Sequence, residues 1–251
     1  MEKDTLLTYT FCDDIYSTKI TTMYYKSNCY RTTSGTEAII FALQELKSKR
    51  VIVPTWTCSS LVRAIESVGC EYLIVDSDFD LQIDVKEVIK YANDYDTVIV
   101  PHMCGIQADV KTIRQNTTLN IIEDISQCNG FPKMGFYSDV VVCSTAKSKW
   151  LDFKKGGLLF SNESHDLYPF DFQRIKNIPD IFHRRRTIGS EIIQAGVDLI
   201  GTDSSFLRAM YFTKGPSDRK LYEPLHRIYE KGDCPKAEDY SDNLNWISIF
   251  V

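Results

Sequence analysis

Between residues 34 and 161, short apolar segments alternate with amphipathic segments, and this alternation restricts the possible folds more than any other feature of the sequence. The apolar segments are six to eight residues long and rich in Val and Ile. Continuous apolar runs of this length are typical of strands that are buried on both faces of a sheet. The pattern therefore predicts an α/β fold, with a mostly parallel sheet and helices on both faces.

Six strands and four helices are predicted from this pattern. The first helix shows the expected helical spacing of apolar residues, for example at Ile39, Ala42 and Leu43. Ser34 is expected to cap that helix, and Glu37 is expected to complete a capping box. The predicted strands span residues 50–56, 70–76, 96–102, 119–124, 138–145 and 156–161, and the predicted helices span residues 34–48, 59–69, 84–93 and 108–115.

The alternation ends near residue 162, which divides the chain into two predicted parts. Residues 1–162 are expected to form the large α/β domain, and residues 163–251 a reduced, mainly helical C-terminal region. The last six residues, WISIFV, are apolar and are expected to need a partner surface or a pocket. The helical segments predicted in this second part are residues 171–177, 183–201, 204–212 and 219–232.

Charge and composition argue against several classes of function. The net charge of −5 does not suit a nucleic-acid groove, which needs a basic face. No apolar run approaches the roughly 18 residues that span a bilayer. The first ten residues lack the features of a signal peptide, so a cytosolic protein without a membrane partner is expected.

The eight cysteines are widely spread and are expected to be reduced and chemically inert. The sequence contains no C-x-x-C pair and no cluster of cysteine and histidine at zinc spacing. No metal site is therefore predicted.

Residues 34–36, Ser-Gly-Thr, open the first predicted helix and are a candidate phosphate site. The amides of Gly35 and Thr36 would lie unpaired at the positive end of the helix dipole, which suits a bound anion. An ordinary helix cap at Ser34 is the alternative interpretation.

Four polar side chains follow the next strands, at the edge where ligands collect in open parallel sheets. Asp124 ends one predicted strand, and Gln127 follows three residues later. Ser144 and Lys149 follow the next strand, where partial burial would make a lysine nucleophilic. A loop cap for the aspartate and a solvated position for the lysine are the alternatives. Other lysines that compete for the same role are Lys147, Lys154 and Lys155.

Five short motifs stand in a specific order, and together they resemble one known family. They are S-G-T at 34–36, P-T-W-T at 54–57, P-H-x-x-G at 101–105, E-D-x-x-Q at 123–127, and S-x-x-x-x-K at 144–149 before G-G. Over residues 29–161 the chain resembles the sugar aminotransferases of the DegT/StrS type. The resemblance implies pyridoxal 5'-phosphate as cofactor and the aspartate-aminotransferase (type I) fold, here shortened at the C-terminus.

The resemblance also implies roles for individual residues. Lys149 would bind the cofactor aldehyde covalently and later move the proton, and Asp124 would bind the ring nitrogen; both would be catalytic. Gln127 would bind the phenolic oxygen of the ring. The residues implied at the phosphate and its surroundings are Ser34, Gly35, Thr36 and Ser144.

Two departures from the family pattern stand out. Cys58 occupies the position from which the family stacks an aromatic ring on the cofactor, and either Trp56 replaces that ring or it lies in the core. No G-x-N-x-R segment follows residue 162.

The basic run 183–186 would bind a diphosphate or form a solvated helix face. His102 is interpreted as structural.

The activity implied by the resemblance is amino transfer to a keto-sugar, nucleotide-linked, with glutamate or glutamine as donor. The resemblance also implies a homodimer with active sites between the subunits. Two alternatives stay open. One is a shortened, catalytically degenerate member that serves as a structural or regulatory subunit, and the other is a pyridoxal-phosphate-dependent sugar dehydratase.

Overall fold

The computed structural model describes residues 24–171 except residues 79, 129, 130, 132, 148 and 150, and it also describes Arg184 and the backbone of three later strands. The helices in this part of the chain are α1 Gly35–Glu45, α2 Ser59–Ser67, α3 Val85–Tyr91 and α4 Val110–Asn116. The strands up to residue 161 are β1 Asn28–Thr32, β2 Arg50–Pro54, β3 Glu71–Val75, β4 Thr97–Pro101, β5 Asn120–Asp124, β6 Val140–Ser144 and β7 Gly157–Ser161.

These seven strands form one sheet in the order β1-β7-β6-β5-β4-β2-β3. The pairs β2–β3, β2–β4, β4–β5 and β5–β6 are parallel. Strand β7 runs antiparallel to both of its neighbours, β1 and β6. The predicted mostly parallel sheet is confirmed, as are all six strands and four helices predicted up to residue 161. Strand β1, with the mixed sequence NCYRT, was not predicted.

Alternate residues of the strands point into two apolar layers, one on each face of the sheet. In β2, Val51 and Val53 belong to the layer that also contains Ala38 of α1 and Leu61 of α2. Ile52 lies on the opposite face, in the layer formed with α3 and α4. Helices therefore cover both faces, as the continuous apolar strands predicted.

Two hydrogen bonds from main-chain amides to side chains stabilise the start of helix α1. The Ser34 hydroxyl accepts a hydrogen bond from the Glu37 amide at 3.1 Å. The Glu37 carboxylate accepts from the amide of Thr33, one residue before the position expected for a capping box. Because α1 packs on β6 and β7, its N-terminus lies at the carboxyl end of β6.

Two glycines allow this N-terminus to approach the sheet closely. A Cβ atom placed on Gly35 would lie 2.6 Å from the Cβ atom of Ser144. A Cβ atom placed on Gly157 would lie 2.5 Å from the carbonyl oxygen of Ser34. Both distances are far below van der Waals contact, so any side chain at these positions would push α1 away from β6 and β7.

The backbone of a second sheet comes from the C-terminal part of the chain. Strands β8 Leu199–Ile200, β9 Arg208–Phe212 and β10 Leu244–Ser248 pair antiparallel in the order β10-β9-β8. The helix predicted over 204–212 is therefore wrong over 208–212, and the end of the helix predicted over 183–201 is wrong at 199–200. The local pattern predicts a helix there, but pairing with β10, more than thirty residues later, stabilises β9 as a strand.

Part of the apolar tail, residues 246–248, lies in β10 and pairs with β9. The helices predicted at 171–177 and 219–232 lie outside the described residues, apart from Asp171. The proposed domain boundary at residue 162 stays a prediction. Across the residues that the structure describes, every helix is too short or too polar to cross a membrane.

The six cysteines within the described residues are free thiols. Cys29 and Cys143 lie in one buried cluster beneath the sheet edge. Burial raises the pKa of both thiols well above the ordinary value of 9.0. That these six thiols are reduced and inert stays a prediction, and Cys12 and Cys234 lie outside the described residues.

We predict that Gly157→Ala lowers the free energy of unfolding by about 2 kcal/mol, because the added methyl overlaps the Ser34 backbone. Gly69→Ala is the matched control, since its Cβ atom would meet nothing within 4 Å and only the positive φ of 76° opposes it. Its cost is expected to be about 1 kcal/mol. Urea unfolding measures both, and equal losses would contradict the steric explanation.

The raised thiol pKa values also predict a pH dependence of stability. The unfolded chain releases these thiol protons above pH 9 while the folded chain retains them, so stability falls as pH rises from 9. Each such thiol contributes a slope of up to about 1.4 kcal/mol per pH unit. Unfolding free energies of Cys143→Ala should fall less steeply above pH 9 than those of the wild type. Parallel curves would show that this thiol does not titrate on unfolding.

Candidate active site

A cleft with a volume of about 340 Å³ opens where β4, β5 and β6 end and α1 begins. This volume falls in the range of small-molecule sites. The cleft lies at the carboxyl edge of the parallel strands, where the sequence predicted a ligand. Eight of the nine predicted site residues line it: Ser34, Gly35, Thr36, Cys58, Asp124, Gln127, Ser144 and Lys149.

Trp56 is the ninth predicted residue, and the structure places it in the core. Only 4% of its surface is exposed, and it does not line the cleft. Its indole nitrogen is buried without a hydrogen-bond partner among the described residues. Cys58 does line the cleft, so a thiol occupies the position at which the resemblance implies a stacked aromatic ring.

The N-terminus of α1 and the end of β6 form one end of the cleft. Within the described residues, no hydrogen bond involves the amides of Gly35 and Thr36, which lie in the first turn where no intrahelical partner exists. Ser144 lies against Gly35, and its amide donates to the Ser126 hydroxyl at 2.7 Å. These groups suit a bound anion. The Ser34 hydroxyl, in contrast, is occupied as the helix cap.

Asp124 and Gln127 lie on the turn that follows β5. One carboxylate oxygen of Asp124, Oδ1, accepts from the Ser126 amide at 2.9 Å. The other, Oδ2, has no hydrogen-bond partner among the described residues. The Gln127 Oε1 atom accepts from the Cys104 amide at 3.4 Å, and its Nε2 atom lies 3.7 Å from the Met103 sulfur. Both side chains thus retain a polar atom for a ligand.

Burial separates Lys149 from its competitors. Lys149 is half-buried and lines the cleft, whereas Lys147 is exposed and does not. Lys154 and Lys155 line the cleft but are exposed. The Lys149 amine makes no hydrogen bond or ion pair with any other residue that the structure describes. It is the best placed of the four to react with an aldehyde in the cleft.

His102 is fully buried at the end of β4, and both of its ring nitrogens have partners. Nδ1 accepts from the Ala108 amide at 2.9 Å, so it carries no proton. Nε2 lies 2.8 Å from Oε1 of Glu123 and donates to it. The structural interpretation of His102 is confirmed, because neither nitrogen is left to act as a base.

Several residues that line the cleft were not predicted. Ser126, between Asp124 and Gln127, supports both Asp124 and Ser144. Its place in the turn after β5 could have indicated this role. Other unpredicted lining residues are Thr33, Ile39, Thr57, Ser60 and Met103. In the basic run, Arg184 is exposed, and residues 183, 185 and 186 lie outside the described part of the chain.

The polar groups of the cleft match the functional groups of pyridoxal phosphate. The unpaired amides at α1 suit its phosphate, and the half-buried amine of Lys149 suits its aldehyde. The free carboxylate oxygen of Asp124 suits its ring nitrogen. The residues present therefore fit this cofactor.

Comparison with known proteins agrees with this interpretation. The sequence profile of the DegT/DnrJ/EryC1/StrS aminotransferase family matches residues 8–167, more than half of the chain. GDP-perosamine synthase of Escherichia coli O157:H7 is 30% identical over 148 residues, which cover 53% of this chain. The match covers only 41% of that relative, so the chain corresponds to less than half of its length.

Solved structures share the fold at low sequence identity. The PLP form of the sugar aminotransferase Spr1654 from Streptococcus pneumoniae has a TM-score of 0.74 and 16% identity, with 90% of this chain and 83% of that chain covered. NtdA from Bacillus subtilis, with its cofactor PMP bound, has a TM-score of 0.65 and 19% identity, with 76% and 56% covered. From the motifs, the fold and the family profile together, the chain belongs to the DegT/DnrJ/EryC1/StrS aminotransferase family.

Proposed function

We propose that this protein is a pyridoxal-phosphate-dependent aminotransferase that acts on a keto-sugar linked to a nucleotide. Glutamate or glutamine is the proposed amino donor. The observation that carries the proposal is the meeting of Lys149, Asp124 and the α1 N-terminus in one cleft. The family supports amino transfer, and the relative GDP-perosamine synthase supports a nucleotide-linked sugar.

The α1 N-terminus binds the cofactor phosphate in this proposal. The amides of Gly35 and Thr36 donate to it, and the helix dipole favours its negative charge. The Ser144 hydroxyl supplies a further donor beside them. This end of the cleft would hold the phosphate, and the residues proposed to hold the ring follow β5 and β6.

Asp124 and Gln127 orient the ring. The free oxygen of Asp124 accepts from the ring nitrogen and keeps that nitrogen protonated. Its other oxygen is held by the Ser126 amide, which fixes the carboxylate. The Gln127 amide group donates to the phenolic oxygen of the ring. When bound, the cofactor accepts the electron pair that remains after the substrate loses its proton.

Lys149 would hold the cofactor aldehyde. Once an amino donor has taken its place there, its amine would serve as general base and then general acid for the proton on the substrate carbon. The half-buried side chain lines the cleft, as these two roles require.

The cleft also suits an anionic substrate. Its lining residues include three lysines, Lys149, Lys154 and Lys155, but Asp124 is the one carboxylate among them. This positive cleft in a chain of net charge −5 would attract the phosphates of a nucleotide-linked sugar. The proposal includes a homodimer in the cytosol, which rests on the resemblance to the family and on the free thiols of the described cysteines.

We predict that pyridoxal phosphate gives the purified protein a visible absorption band and that Lys149→Ala removes it. The reason is that the cofactor joined to a lysine absorbs at a longer wavelength than the free aldehyde, and the variant lacks the lysine proposed to join it. Lys147→Ala is the matched control, because Lys147 is exposed and does not line the cleft, and it should keep the band. Absorption spectra measure both variants.

Glutamate or glutamine should convert the band to that of the pyridoxamine form. A band that forms but is converted by neither donor would contradict aminotransferase activity and would favour the degenerate alternative. A band that survives Lys149→Ala would show that another lysine binds the aldehyde.

We further predict that Asp124→Asn slows the half-reaction with the amino donor by about a hundredfold, because a neutral amide does not keep the ring nitrogen protonated. Asp94→Asn is the control, since Asp94 is exposed and lies outside the cleft. Stopped-flow absorbance measures the rate. An unchanged rate in Asp124→Asn would mean that this carboxylate does not act on the ring.

A further inference from the structure

A short segment after β4 contacts both residues that are proposed to orient the cofactor ring. This segment, residues 102–105, is called the edge segment here. The His102 amide donates to the Asp124 carbonyl at 3.0 Å. The Cys104 amide donates to Oε1 of Gln127 at 3.4 Å. The edge segment therefore contacts the main chain of Asp124 and the side chain of Gln127.

The edge segment has a backbone conformation that needs support from its surroundings. Cys104 has a φ of 57°, in the left-handed region that a residue with a side chain avoids. Such a conformation is strained and persists only where neighbouring contacts enforce it. Cys104 is buried, with 5% of its surface exposed.

Buried side chains supply that support from two directions. Gln82, 3% exposed, accepts from the Met103 amide at 3.0 Å and donates to the Met103 carbonyl at 3.2 Å. The His102 ring bonds the Ala108 amide on one side and Glu123 on the other. Both main-chain groups of Met103 and both ring nitrogens of His102 are thus fixed.

Glu123 is itself held in place. It is 1% exposed, and its Oε2 atom accepts from the Gly135 amide at 2.8 Å. Lys26, also buried, donates to the carbonyls of Gly135 and Ser138 at 2.7 and 2.8 Å. Because His102 Nδ1 accepts from an amide, Nε2 carries the proton, and the Glu123 carboxylate stabilises that tautomer. The contacts form a continuous buried chain from Lys26 to the cleft.

We propose that His102, Glu123 and Gln82 are positioning residues that clamp the edge segment and thereby hold Asp124 and Gln127 against the cofactor ring. The inference rests on the proposed function, since it assigns these residues a role toward the proposed cofactor. None of the three is expected to exchange a proton with substrate. They act through the edge segment, which bonds the main chain of Asp124 and the side chain of Gln127, the two residues proposed to contact the ring.

The test compares His102→Asn and Glu123→Gln with His165→Gln in the full chain. His165 and Glu45 form a matched pair at 2.8 Å, with side chains 14% and 9% exposed, and neither lines the cleft. Three quantities are measured for each variant. They are the dissociation constant of pyridoxal phosphate, the pH midpoint of the visible band, and the thermal midpoint of the cofactor-free protein.

The clamp variants should raise the dissociation constant about tenfold, as expected for a displaced hydrogen bond to a charged group. They should also move the pH midpoint of the band upward by about half a unit. A ring nitrogen that is protonated less of the time withdraws less electron density from the nitrogen joined to Lys149. That second nitrogen is then more basic and keeps its proton to higher pH. His165→Gln should lose thermal stability but retain the wild-type dissociation constant and pH midpoint.

A purely structural role would lower the thermal midpoint of the clamp variants without changing the other two quantities, and that result would overturn the proposal. Gln82→Met provides a second variant in case the others do not fold, because it keeps a side chain of similar length and removes the hydrogen bonds to Met103 and Asp80 without burying a charge. If wild-type protein shows no band, the proposed function fails and this inference falls with it. If the wild-type protein shows the band and the clamp variants keep its dissociation constant and pH midpoint, the proposed function stands and the clamp is wrong.

Discussion

At the carboxyl edge of the sheet, the first turn of α1 lies against Ser144 so closely that only a residue without a side chain fits at position 35. The unpaired amides of that turn, the carboxylate that ends β5 and the lysine after β6 come together because of this contact. Gly157 permits the same approach from the neighbouring strand. Neither glycine needs an unusual backbone angle, so close packing alone explains both. The cleft exists because three elements can meet there without side chains between them.

Local sequence patterns predicted the central part of the sheet and most of the site, because both depend on short-range features. Strands β2 to β7 are continuous apolar runs, and four predicted residues that line the cleft, Asp124, Gln127, Ser144 and Lys149, follow such strands. Ser34, Gly35 and Thr36 were predicted from the helix that they open, and Cys58 from the family resemblance. The same reasoning failed for β1 and β9. The mixed sequence of β1 acquires its strand structure from pairing with β7, more than a hundred residues later, and β9 from pairing with β10. Long-range pairing leaves little trace in a local window.

The sequence also left one choice open that packing decides. Whether the side chain of Trp56 lies in the core or in the cleft depends on the direction of the chain after β2, and the structure buries it. The supporting contacts of Gln82 and Glu123 were not predictable, because each joins residues at least a dozen positions apart. His102 was interpreted correctly because a histidine in an apolar strand end usually finds hydrogen-bond partners.

The antiparallel strand β7 has a consequence for the order in which the sheet assembles. It lies between β1 and β6, so the first strand has no neighbour in this sheet until residues 157–161 are available. The parallel strands β2 to β6 involve shorter loops and lose less chain entropy when they pair. During synthesis on the ribosome, β1 would therefore stay unpaired until β7 has been synthesised. Until then one edge of β6 would be exposed and could pair with a strand of another chain.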